Sequence, residues 1–115
     1  MNNFLKNFIE QILDFNLEND YVFIKDDNLN YVFANKKFCE FFNLSLESLL
    51  GNSDTFFLLD PDHLKVCKDS DLLALNNNFS ISNEAIEEKN YKVLKLKINL
   101  SKDQVGILCL AKSIF

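Results

Sequence analysis

Residues 21–51, YVFIKDDNLNYVFANKKFCEFFNLSLESLLG, decide how the rest of the chain is read. Tyr21, Val22, Phe23 and Ile24 form an aromatic and β-branched run, Asp26, Asp27, Asn28 and Asn30 interrupt it, and Tyr31, Val32 and Phe33 resume it. Two such runs around a polar turn predict a β-hairpin. Asn35 follows at once, and its side-chain oxygen suits the N-cap of a helix, where it accepts an otherwise unpaired amide of the first turn. Phe38, Phe41 and Phe42 then recur at helical spacing, and Ser45 opens a second short helical turn that stops at Gly51.

Upstream of this stretch, Phe4, Leu5, Phe8, Ile9, Ile12 and Leu13 form a stripe of 3.6-residue period, with Lys6, Asn7, Glu10, Gln11 and Asp14 opposite. The stripe predicts an amphipathic helix within residues 1–19 that covers the outer face of a sheet, contacts a second copy, or does both. Downstream, residues 52–59 are loop with room for one helical turn. Asp60 and Pro61 then predict a sharp helix start, an N-cap followed by proline where its missing N–H costs nothing. That helix runs to about Leu75, ends at Asn76, Asn77 and Asn78, and offers Leu64, Cys67, Leu72, Leu73 and Leu75 to the interior.

The last third is strand-like. Residues 79–86 alternate weakly and Glu87 to Asn90 make a polar turn. In residues 92–100, Leu94, Leu96, Ile98 and Leu100 share one face while Lys95, Lys97 and Asn99 share the other. Ser101, Lys102 and Asp103 turn the chain, and residues 105–111, VGILCLA, are apolar on both faces, as in a central strand covered on both sides. Hairpins at both ends with helices between them predict an α+β fold.

A length of 115 residues allows one domain with one core. With 48% hydrophobic and 25% charged residues the composition is that of an ordinary globular protein, and no apolar run is long enough to span a membrane. The residues after Met1 lack the pattern of a secretory signal, so a cytoplasmic domain is expected. The net charge is −5 and every basic residue is lysine, which argues against a nucleic-acid surface, where arginine-rich positive patches are expected. Cys39, Cys67 and Cys109 are widely separated, with neither zinc-type spacing nor a disulfide framework, and are read as buried thiols.

Asp26, Asn35, Phe38, Ser45 and Gly51, in that order and spacing, resemble the PAS sensor domains over residues 20–115. The turn glycine usual in that family falls on Leu29 and the glycine that ends its first helix falls on Asn43, a residue that tolerates the left-handed conformation. Gly106 matches a glycine frequent in the family's last strand. The closing Asp-Ile-Thr of many members reads Ser113, Ile114 and Phe115 here, so coupling to an output helix would rest on apolar packing, or the chain is cut from a longer protein just before its linker. The resemblance implies a PAS-like five-stranded antiparallel sheet, its last strand central and its helices on one face.

Catalysis is not expected. Two glycines, Gly51 and Gly106, make no phosphate loop. The sole histidine, His63, sits in the first turn of the long helix beside Asp60 and Asp62, a position read as solvated. The resemblance would make His63 the axial ligand of any haem, which that reading disfavours. The resemblance also disfavours flavin, since redox members of the family often use a tryptophan and this chain has none, and a flavin photoadduct, since the reactive cysteine of light-sensing members has no counterpart in NSDTFFLL after Gly51. No cofactor and no metal ligand are therefore assigned.

Two functions stay open. One is a sensory module that binds a small apolar or aromatic ligand and regulates the output domain of a bacterial-type histidine kinase, cyclase or chemoreceptor. The other is a ligand-free interaction and dimerisation module, with a homodimer formed through the first helix. Any ligand site is expected between the inner sheet face and the helices, bounded by Asn35, Phe38, Phe42, Phe57, Cys67, Ser70, Leu94, Leu96 and Leu108.

Overall fold

The computed structural model describes residues 3–86 and 88–114. Helix α1, Asn3–Asn7, continues into a wider turn over Phe8–Ile12, where the Leu13 amide donates to the Phe8 carbonyl, five residues back. The hairpin strands β1, Tyr21–Asp26, and β2, Tyr31–Ala34, follow. Then come α2, Lys36–Phe42, α3, Leu46–Leu49, a 3₁₀ turn at Asp54–Phe56 and the long α4, Pro61–Asn77. Strands β3, Phe79–Ile86, β4, Lys89–Ser101, and β5, Gln104–Ile114, complete one antiparallel sheet in the order β2-β1-β5-β4-β3.

Local chemistry accounts for the joints. Asn35 caps α2 with its side-chain oxygen accepting from the Phe38 amide at 3.1 Å and from the Val22 amide at 3.2 Å. Its side-chain nitrogen donates to the carbonyls of Asp20 at 2.7 Å and Leu17 at 3.1 Å, so one residue ties the helix start to β1 and to the segment before it. Asn43 ends α2 in the left-handed conformation. Leu29, where a glycine is usual, also takes positive φ, and the Asp26 carboxylate holds that turn by accepting from the amides of Asn28 and Asn30. Asp60 caps α4 through the Asp62 amide, with Pro61 in the first turn.

Both sheet faces are covered. On the outer face, Val22, Leu94, Leu108 and Leu110 pack under Ile9 and Phe15, with Leu96 and Ile98 beside them. Asp14, at positive φ, turns the chain so that Phe15 drops onto the sheet, and the Asp14 carboxylate accepts from Lys112 Nζ at 2.8 Å. The N-terminal stripe is split by this arrangement: Ile9 is fully buried, whereas Phe4 is 80% and Ile12 68% exposed. On the inner face, α2, α3 and α4 close over Tyr21, Phe23, Lys25, Tyr91, Val93 and Lys95.

Two expectations are corrected here. Leu94, Leu96 and Leu108 belong to the outer face, not to the wall beneath the helices. The alternation was real but its phase is inverted: the apolar side meets the N-terminal segment, and the lysine side is turned inward because carboxylates wait there. In α4, Leu72 and Leu73 are exposed, while Cys67, Ser70, Asp71 and Ala74 are buried. The helix approaches the sheet with its small and polar stripe because that stripe holds the partner of the inward lysines. Phe115, part of the closing motif read from sequence, lies outside the described residues.

Candidate functional site

Between α2, the 3₁₀ turn, α4 and the inner sheet face lies a cavity of about 50 Å³. One wall is aromatic. Phe38 packs against Phe42 at 4.8 Å between ring centroids and against Phe23 at 4.7 Å, and Phe42 meets Phe57 at 4.7 Å. Tyr21 sits edge-on to both Phe41 and Tyr91. These spacings and tilts are those at which ring edges and faces attract, so the wall is a packed lattice of rings.

The opposite end is charged. Lys25 and Lys95 are each 1% exposed and Asp71 is 0% exposed, an unusual depth for three ionised groups. Lys25 Nζ donates to Asp54 and Asp71 at 2.7 Å each, and Lys95 Nζ donates to Asp71 at 2.6 Å, Ser70 Oγ at 2.7 Å and the Cys67 carbonyl at 3.3 Å. The Tyr31 hydroxyl donates to the second oxygen of Asp54 at 2.5 Å. Asp71 thus bridges two lysines from strands β1 and β4, and α4 is fastened to the sheet by charge.

Burial alone would lower the Lys25 ammonium pKa, but Asp54 and Asp71 outweigh it and hold the group above its ordinary value. Lys95 is likewise opposed by burial and raised by nearby negative groups, Asp71 among them. Burial works to raise the Asp54 carboxyl, yet Lys25 and the Tyr31 hydrogen bond hold it below the usual range. Burial and Asp54 together push Tyr31 well up, and burial pushes the Cys109 thiol up to about 12.

A third group joins the cavity beside this cluster. His63 and Cys67, one helical turn apart on α4, face Glu84 of β3. Glu84 Oε1 lies 3.9 Å from His63 Nε2 and 3.6 Å from Cys67 Sγ, while its Oε2 accepts from the Ser82 hydroxyl at 2.9 Å. His63 Nε2 is buried without a hydrogen-bond partner. The solvated histidine expected from the sequence is therefore corrected: its side chain is 10% exposed, because the first turn of α4 already packs over β3. Burial, then Glu84, raises the Cys67 thiol.

Of the residues assigned to a ligand site from the sequence, the structure gathers Phe38, Phe42, Phe57 and Cys67 around the cavity. Asn35 is spent on capping, and Ser70 sits behind the wall holding Lys95. Leu94, Leu96 and Leu108 are on the far side of the sheet. Sequence reasoning missed Lys25, Asp54, Asp71, Glu84 and Lys95. One signal was present: His63, Cys67, Asp71 and Ala74 recur at spacings of three or four along α4, a helical stripe lacking any large apolar residue.

No protein-family model and no curated protein matches the sequence. Solved structures do match. A domain of an HTR-like protein from Haloarcula marismortui superposes with a TM-score of 0.73 at 12% identity, over 84% of this chain and 98% of that one. The PAS domain of the histidine kinase ThkA gives 0.65 at 16% identity, over 81% and 98%. The chain has the PAS fold. A sensory box sensor histidine kinase from Vibrio cholerae aligns over 97% of this chain and 90% of its own, with a TM-score of 0.68 and 15% identity. The PAS resemblance first carried by Asp26, Asn35, Phe38, Ser45 and Gly51 thus agrees with the fold as a whole.

Proposed function

We propose that this chain is a sensory module of a signalling protein, in which a small apolar or aromatic molecule enters the inner cavity and alters the sheet that an output domain reads. The observation that carries this reading is the cavity itself, rings on one wall and a buried charge cluster on the other. Pockets of this kind take affinity from apolar contact and specificity from a few polar groups. A volume of about 50 Å³ is smaller than the ~150 Å³ that admits benzene in an engineered cavity, so binding displaces a ring. Phe42 and Phe57 are only partly buried and lie on the helix and loop side of the cavity, and we take them as the rings that move. Such displacement would pass to β1 and β4 through Phe23, Tyr21 and Tyr91, which share the ring lattice.

The PAS neighbours named for sensor histidine kinases support a sensory role, and we propose a histidine kinase as the output, with a cyclase or chemoreceptor as the other candidates. No described helix is long and apolar enough to cross a membrane. From the sequence, we place this sensory domain in the cytoplasm and give it a regulatory rather than a catalytic role. We assign neither haem nor flavin, since either would need far more than one ring displaced from a cavity of about 50 Å³.

A second reading, an interaction and dimerisation module, has its own observation. Phe4, Phe8 and Ile12 stand exposed along the first helix while Ile9 grips the sheet, which suits a homodimer formed across that helix.

Native mass spectrometry of the purified domain separates the two readings. The sensory reading expects a bound mass that is lost in Ala111→Phe, which fills the cavity from β5 while circular dichroism stays unchanged. A clean dimer with no bound mass favours the second reading.

A further inference from the structure

We propose that His63, Cys67 and Glu84 form a binding site for a divalent transition-metal ion of the zinc class, with a fourth coordination position open to the inner cavity. Four observations support the site. The imidazole nitrogen, the thiol sulfur and a carboxylate oxygen all lie within 4.8 Å of one another, two of the three separations being 3.6 and 3.9 Å. Tetrahedral zinc with ordinary Zn–N, Zn–S and Zn–O bonds spans about 3.3 to 3.6 Å between ligand atoms, so small side-chain rotations close the site.

His63 Nε2 is buried with no hydrogen-bond partner, and a buried polar nitrogen left unpaired is costly unless something occupies it. The carboxylate is already oriented, since Ser82 donates to Glu84 Oε2 and leaves Oε1 facing the other two ligands. That is the kind of supporting hydrogen bond that fixes a metal ligand. Two of the ligands come from one face of a helix at a separation of four residues and the third from the adjacent strand, both rigid elements.

Charge permits the ion, with His63 as a neutral ligand. Lys25 and Lys95 supply two buried positive charges and Asp54, Asp71 and Glu84 three negative ones. A divalent ion bound to Glu84 and to the Cys67 thiolate, its proton released to solvent, brings the whole cluster to neutrality. Lys95, whose Nζ donates to the Cys67 carbonyl at 3.3 Å, is paired with Asp71 at 2.6 Å. A mixed nitrogen, sulfur and oxygen set suits zinc or cobalt over magnesium or calcium. The site stands whether or not an organic molecule enters the cavity.

The test is titration of the chelator-stripped domain with Zn²⁺, and with Co²⁺ as a spectroscopic probe. One ion per chain is expected, with a thiolate-to-cobalt charge-transfer band in the near ultraviolet. Cys67→Ser should abolish that band, and His63→Ala should weaken Zn²⁺ binding at least about tenfold. Cys39→Ser, remote from the site, should change neither. Circular dichroism and a thermal melt check that each variant folds, and the wild-type cobalt spectrum decides independently of them. Absence of saturable Zn²⁺ uptake, a cobalt spectrum without thiolate character, or unchanged affinity in folded Cys67→Ser and His63→Ala would overturn the proposal.

Discussion

Replacing Asp71 by leucine tests how α4 is held to the sheet. The carboxylate is 0% exposed and accepts from Lys25 Nζ at 2.7 Å and Lys95 Nζ at 2.6 Å. Without it, Lys25 keeps Asp54, but Lys95 keeps only the Ser70 hydroxyl and the Cys67 carbonyl, two neutral acceptors. Removing one partner of a buried ion pair strands the other charge and costs about 3 to 5 kcal/mol. A domain of this size is stable by about 5 to 15 kcal/mol, so the loss is a large share of the total. Lys95→Met should be similarly harmful by stranding part of the Asp71 charge. The double variant, which replaces the pair with apolar groups of comparable volume, should cost less than the two singles together by about 2 kcal/mol. Urea denaturation at neutral pH measures all three. Additive losses, or a cost below about 1 kcal/mol for Asp71→Leu, would refute the reasoning, since either outcome means that the Lys95 ammonium reaches water.

Asn35→Ala removes a cap and the four hydrogen bonds of its side chain, and should cost about 2 to 3 kcal/mol by denaturant midpoint, with Asn35→Asp intermediate because it keeps the acceptor. A Cβ at Gly106 would fall 2.5 Å from the Lys25 carbonyl oxygen and against the Leu100 side chain, so Gly106→Ala should cost about 1 to 3 kcal/mol in the same assay. Stability should be lost at both pH extremes. Asp54, held low when folded, contributes above about pH 4 and fades as pH falls through its folded value. Lys25 and Lys95, held high, contribute fully below about pH 10.4, and their contribution is lost as pH rises through their folded values. The Cys109 thiol, pushed up to about 12 by burial, acts in the same direction from about pH 8.5 upward. Thermal melts from pH 3 to 11 check this, and a midpoint that rises above pH 9 would contradict it.

The hairpin, the Asn35 cap, the left-handed Asn43 and the Asp60–Pro61 helix start were legible because each is a local agreement between a side chain and its own backbone. The central position of the last strand was legible from its two apolar faces. The candidate site was half legible. Phe38, Phe42, Phe57 and Cys67 do line one cavity, Phe38 and Phe42 because an aromatic stripe at helical spacing turns one face of α2 inward. The charged half was hidden by a rule that is usually sound: lysines alternating with leucines on a strand face water. Here Lys25 and Lys95 face inward because Asp71, 24 residues from Lys95 in sequence, meets them only in the folded chain. His63 was misjudged for the related reason that Asp60 and Asp62 suggested solvent, whereas Glu84, a strand away, sets its surroundings.

The most direct test of the account is a methyl and aromatic NMR titration of the domain with benzene as a probe of the inner cavity. Ala111 and Val93 methyls and the rings of Phe57 and Tyr91 should shift in a saturable way. The methyls of Leu94, Leu96 and Leu108, on the outer face under Ile9 and Phe15, should hold their positions. No saturable shift at the inner residues, or shifts confined to the three leucines, would contradict the proposed ligand site on the inner face.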